Sequence, residues 1–249
     1  MEKYEKALDK FLSEYKNKDY FEGAILCGSY ATGNFNEDSD IDLHIFISNN
    51  EKWRKRGNKV VDGFLIEYFI NPLKKSYEYL ERDFKSMYFI DGSMYGFGKV
   101  LYDVNGNVEK LRDSALSYFD KEFDAIGEFE LKLKKYAAWD KMDELKSKIK
   151  NNENYELSYY LLFQGLIDLY YSNNRLAKIP LTKLEKIYKE DNFRKRFKLK
   201  NMPNDNFIEL VINCLDNKKF YSIEKLYDYV IADAGGFNIE NFELISKVD

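Results

Sequence analysis

The sequence predicts an α+β protein, in which a mixed β-sheet flanked by helices occupies the N-terminal part and an all-α helical bundle follows. Three observations carry this. Short apolar runs with strand character fall before about residue 105, and none of convincing length comes after it. Long segments with a period of 3.6 dominate from Val108 onward. Strands early and helices late argue for two units, drawn here at 1–112 and 113–249, with the joint between about 105 and 118.

In chain order, Tyr4, Ala7, Leu8, Phe11, Leu12 and Tyr15 recur at intervals of three and four and predict an amphipathic helix within residues 1–19. Ala24–Cys27 is a short apolar strand, and Gly28-Ser29 turns it into a short helix. Asp40 and Asp42 then occupy alternate positions of an apolar run that continues through Ile47. Side chains two apart in a strand share a face, so both carboxylates point one way while Ile41, Leu43 and Ile45 point to a core. Lys52–Lys59 reads as a charged connector. Val60–Ile70 reads as two short strands or one bent strand broken at Asp62-Gly63, with Leu65, Glu67 and Phe69 on one face. Asn71-Pro72 ends it and opens a helix continued by Tyr77, Leu80 and Phe84. Met87–Gly98 looks irregular, and Lys99–Asp103 is a further strand closed by the Asn105-Gly106 turn. Helical periodicity then covers Phe119–Lys150, Glu156–Tyr171, Leu181–Lys189, Phe207–Leu215 and Ile223–Ala232.

Composition narrows the function. The 249 residues, 45% hydrophobic and 17% aromatic, suffice for one large core or two of roughly 100 to 150 residues each. A net charge of −4 disfavours a main task of gripping nucleic acid backbone, although a local basic patch is compatible with it. Cys27 and Cys214 suggest buried thiols rather than a disulfide framework. No apolar segment reaches the roughly 20 residues of a membrane span, and the chain is charged from Glu2, so a soluble, cytoplasmic protein is expected. His44 is the sole histidine, which leaves zinc chemistry and Cys/His nucleophilic catalysis unsupported.

Two carboxylates side by side at the start of a strand raise the cost of ionising both, and a hard divalent cation relieves it. Mg²⁺ prefers a few carboxylates together with phosphate oxygens and water. Upstream, Gly28-Ser29 offers close backbone approach and unpaired N–H donors to an anion. Strand, phosphate-holding turn and metal-holding strand are the equipment of nucleotidyl or phosphoryl transfer. Glu67, a carboxylate among large apolar neighbours, is the candidate third acid, with the solvated face of an edge strand as the plainer reading. Asp62 is weaker because it lies at a turn, and Asp103 is a further alternative.

The pattern G-S-x-A-x-G, a polar spacer, then S-D-x-D-L, resembles the signature of the DNA polymerase β-like nucleotidyltransferase superfamily. Gly28, Ser29, Ala31, Gly33, Ser39, Asp40, Asp42 and Leu43 stand at the matching places. The resemblance implies that Asp40, Asp42 and Glu67 form the catalytic and metal set for two Mg²⁺ ions, with Glu67 as either ligand or general base. It also implies that Gly28, Ser29, Gly33 and Ser39 hold the nucleotide, with ATP as donor. Chain length and a helical C-terminal half are similar to the aminoglycoside and lincosamide nucleotidyltransferases. The expected acceptor is therefore the hydroxyl of a small molecule, an aminoglycoside-like antibiotic among the candidates, with pyrophosphate released. The acidic balance favours a cationic acceptor and disfavours nucleic acid; a homodimer is compatible with the sequence. The alternatives are an RNA- or protein-directed enzyme, or an antitoxin-like regulatory protein of the same fold. In the helical half, Tyr159, Tyr160, Phe163, Tyr170 and Tyr171 form either core or an aromatic cleft, and Arg175, Lys178 or Lys183 are candidates to reach a triphosphate.

Overall fold

Alternation of apolar and polar positions in Ile41–Ile47 sets the centre of the sheet, and the other strands assemble around that segment. The computed structural model describes residues 2–191, 193–194, 201–240 and 242–246. It divides into two compact units, residues 1–121 and 122–249.

The first unit runs α1 (Lys3–Leu12), β1 (Phe21–Leu26), α2 (Gly28–Thr32), β2 (Ile41–Ile47), β3 (Lys55–Val61), β4 (Phe64–Pro72), α3 (Leu73–Lys85), α4 (Ile90–Gly96), β5 (Lys99–Asp103) and α5 (Asn107–Tyr118). The five strands lie in the order β3-β4-β2-β1-β5. β2 and β4 are parallel, and the other neighbours are antiparallel, so the sheet is mixed.

One face of the sheet packs on α1. Ala7, Leu8, Phe11 and Leu12 meet Ile41, Leu43, Ile45, Ile66 and Ile70 in one buried cluster. On the opposite face Ile25, Cys27 and Phe46 pack with Leu73, Leu80, Tyr95, Val108, Leu111 and Ala115, from α3, α4 and α5. The alternation of β2 therefore hands its isoleucines to one core and leaves Asp42, His44 and Phe46 on the other face.

Three expectations are corrected. The charged connector is half strand: β3 is an edge strand, and its lysines and arginine are the charges that guard an edge against further pairing. A two-residue turn joins it to β4, with Asp62 and Gly63 both left-handed at φ 49° and 88°, the geometry that Asp-Gly favours in tight hairpins. Met87–Gly98 is not irregular throughout, since it contains α4, whose N-terminal Asp91 N–H donates to Asp83. α5, whose Leu111 and Ala115 are both buried, lies wholly in the first unit, and the compact units divide after Lys121. The first helix of the second unit accordingly begins at Glu128, not Phe119.

The second unit contains α6 (Glu128–Lys150), α7 (Glu156–Asn173), α8 (Leu181–Lys189), α9 (Asp205–Asn217) and α10 (Phe220–Asp233). α7 is its spine. Tyr159, Phe163, Tyr170 and Tyr171 are buried core, with Tyr170 stacked on Phe207 at 3.6 Å between ring centroids. Their hydroxyls are used within the unit: Tyr171 and Tyr188 pair at 2.6 Å, and Tyr159 donates to the Cys214 carbonyl at 2.9 Å. Tyr160 alone of the aromatic set is exposed. Lys178 lies 2.6 Å from Asp168, which also pairs with Lys134. Both cysteines are free and buried, and among the described residues no helix is long and apolar enough to cross a membrane.

Candidate active site

Parallel pairing of β2 with β4 sets Asp42 directly beside Glu67. Asp40, immediately before β2, completes the group: one carboxylate oxygen from each of Asp40, Asp42 and Glu67 lies within 4.8 Å of the others. Three acids at that spacing repel, and the most enclosed responds most. Asp42 is pushed up to about 6, first by burial and then by the charges of Asp40 and Glu67. An all-oxygen, triply acidic set half shielded from water fits a hard divalent cation such as Mg²⁺.

The glycine upstream is required by this geometry. Gly28 has φ +64°, and a Cβ built on it would stand 2.0 Å from Asp42 Oδ2. The Cys27 N–H donates to the Asp42 carbonyl at 2.8 Å, so the β1–α2 turn is fastened to the strand carrying the acids. Gly33 ends α2 in the left-handed conformation, where its N–H donates to the Ser29 carbonyl. Ser39 closes the turn before Asp40: its hydroxyl accepts from the Asn36 N–H at 2.9 Å and donates to Asn36 Oδ1 at 3.0 Å.

Glu67 has a partner that the sequence reading passed over. Arg56 Nη2 lies 2.6 Å from Glu67 Oε1, and its guanidinium sits over the Phe69 ring at 4.7 Å. The signal was present in the Asp62-Gly63 turn: a two-residue hairpin pairs Val61 with Phe64, and counting back opposes Arg56 to Phe69, next to Glu67 on its face. The other acids go elsewhere. Asp62 Oδ1 meets Lys10 at 2.5 Å, and Asp103 Oδ2 accepts the Glu109 N–H at 2.9 Å, at the start of α5. His44 follows the acids on their face but is only 4% exposed. It stacks on Phe69 at 4.7 Å, and burial pushes it down to about 3, so it is neutral at physiological pH.

Residues 6–95 match a family model described as a nucleotidyltransferase domain. The matched residues lie within the N-terminal unit, and the match supports the DNA polymerase β-like superfamily for that unit. The match takes in the Gly28–Gly33 turn and all three acids of the cluster. Among solved structures, the chain is similar to a nucleotidyltransferase-like protein from Exiguobacterium sibiricum 255-15, at 12% identity and a TM-score of 0.47, over 93% of this chain and 77% of that one. No curated protein matches the chain. Within the matched segment, the carboxylates and the Gly28 turn meet at one end of the helix-covered sheet face, and that end is the candidate active site.

Proposed function

We propose that the nucleotidyltransferase domain moves a nucleoside monophosphate, AMP from ATP, to a hydroxyl of a small-molecule acceptor. The observation that carries the reading is the convergence of Asp40, Asp42 and Glu67 within 4.8 Å, against a turn where only glycine fits. Asp40 and Asp42 would hold two Mg²⁺ ions, with Gly28 and Ser29 at the terminal phosphates of the donor and Gly33 and Ser39 shaping the segment between. Bound Mg²⁺ supplies charge neutralisation for the triphosphate and acidifies an oxygen beside it.

In the reaction the acceptor oxygen forms a bond to the α-phosphorus. The bond from that phosphorus to the bridging oxygen breaks, and its electron pair leaves on pyrophosphate. The hydroxyl proton needs a base, and Glu67 stands next to Asp42 for that role or as a further metal ligand. Arg56 holds Glu67 Oε1 in an ion pair, which leaves the second carboxylate oxygen for either role. Arg56 is 70% exposed, and so partly solvated an arginine can swing away at little cost.

α-labelled nucleoside triphosphates, each offered with aminoglycosides, lincosamides, phosphorylated metabolites, RNA and protein, test the reading. Label is expected on a small molecule, from ATP and with Mg²⁺ present. Label found only on RNA or protein overturns the small-molecule acceptor. Failure to label anything, with MgATP still bound, favours a regulatory protein that keeps the nucleotide site.

A further inference from the structure

The face of the sheet that carries the acids continues into a cavity of about 540 Å³, within the range of small-molecule sites. His44 and Phe69 line it, each two residues beyond an acid of the cluster on its own strand, so the cavity begins about one strand repeat, ~7 Å, from the carboxylates. Arg54, Arg56, Arg82 and Tyr79 also stand on its wall.

The chemistry of this wall is specific. Arg56 lies over Phe69 at 4.7 Å and Arg82 over Tyr79 at 4.8 Å, while Arg54 Nη1 donates to the Tyr79 hydroxyl at 3.0 Å. Against these guanidinium groups the lining has one carboxylate, Asp91, 3.3 Å from Arg82, and Glu67 stands at the mouth. Lys55 also touches the cavity, but its ammonium lies over the Tyr68 ring on the other face of β4. His44 lies at the wall as well. Its Nδ1 is buried without a hydrogen-bond partner, in a ring otherwise clamped between Phe69 and Tyr95.

We propose that this cavity binds a small molecule carrying a phosphate group and a flat ring, the phosphate among Arg54, Arg56 and Arg82 and the ring against Phe69 and Tyr79. Guanidinium groups match phosphate oxygens bidentately, and the aromatic faces supply the apolar floor. A polycationic acceptor, which the net charge of the whole chain favours, meets repulsion here. The assignment of this molecule as the acceptor rests on the nucleotidyl-transfer reading; the binding itself does not.

The test uses the full chain in EDTA, by titration calorimetry, with phenyl phosphate as probe and phenol and benzylamine as neutral and cationic controls. Phenyl phosphate is expected to bind about tenfold tighter than phenol, and benzylamine no tighter than phenol. Replacing Arg54 and Arg82 by glutamine together should remove the preference, with unchanged far-UV circular dichroism. Arg56→Gln alone should weaken it. Asp40→Asn should leave it intact while losing MgATP binding, which separates the cavity from the catalytic reading. Retention of the preference in the double variant, or equal binding of benzylamine, overturns the proposal. Tighter binding of a short single-stranded RNA through the same arginines overturns the small-molecule part. Competition between phenyl phosphate and MgATP, rather than joint occupancy, overturns the acceptor assignment.

Discussion

Asp42 carries the largest electrostatic burden of the site, because burial and two acidic neighbours all oppose its charge. Its folded value, about 6, lies above the ordinary 3.8, so between those limits the folded chain binds more protons than the unfolded one. The metal-free protein should therefore lose stability from this group as pH rises from about 4 to 6, and stay lowered above that. Asp42→Asn should stabilise the protein in EDTA at about pH 8 by about 1–2 kcal/mol after allowance for partial solvent screening, read as a raised Tm, and the gap should close towards pH 4. The same variant should abolish transfer. Thermal melts at both pH values check it, and an equal gap at both would remove the electrostatic account. Gly28→Ala should act in the opposite sense. Its left-handed backbone costs about 1–2 kcal/mol for a residue with a Cβ, and the methyl group must displace the Asp42 carboxylate, so activity and stability fall together. Glu67→Gln separates two roles. A fall in rate of ~10²–10⁴-fold with unchanged Mg²⁺ dependence marks a general base, whereas weaker Mg²⁺ dependence marks a ligand. Unaltered turnover at every Mg²⁺ concentration would remove Glu67 from the site.

At the scale of elements, what was legible depended on whether one short segment contained the whole signal. β2 was readable because its isoleucines and Leu43 alternate with Asp42, His44 and Phe46 within seven residues, and α1 because its apolar stripe repeats on one face. β3 was not, since an edge strand needs no buried face of its own and KRGNKVV shows no alternation. α4 was missed because a seven-residue helix with two glycines has little intrinsic helical preference and is held by the Asp83 cap and by buried Tyr95. The acid cluster was foreseen from residue type and order, but Arg56, the partner of Glu67, depends on register across a hairpin, and the cavity wall on β2, β3, β4, α3 and α4 meeting. Arg56→Ala tests that register. Freed of its ion pair, Glu67 should become more available, so Mg²⁺ affinity should rise while acceptor KM worsens; no change in either would make the pair a surface contact only.

At the scale of the molecule, the first unit has its own pair of cores on either side of its sheet, and α5 closes one of them. A fragment of residues 1–121 should therefore unfold cooperatively in urea, while one ending at 112 should show a lower midpoint, because it lacks Ala115 and the last turns of α5. Equal midpoints would show that the helix end contributes nothing. The Asp62-Gly63 turn that sets the register of Arg56 against Glu67 also gives the protein a chemical clock. An aspartate followed by glycine is the sequence most open to attack by the next backbone nitrogen on its own carboxyl, closing a succinimide that reopens largely as isoaspartate. That product has the same mass but one more carbon in the backbone, at the point where a two-residue turn tolerates none. Lys10 holds the Asp62 carboxylate at 2.5 Å, so replacing Lys10 by alanine should speed isoaspartate formation at Asp62 in stored protein, as peptide mapping of the hairpin would show.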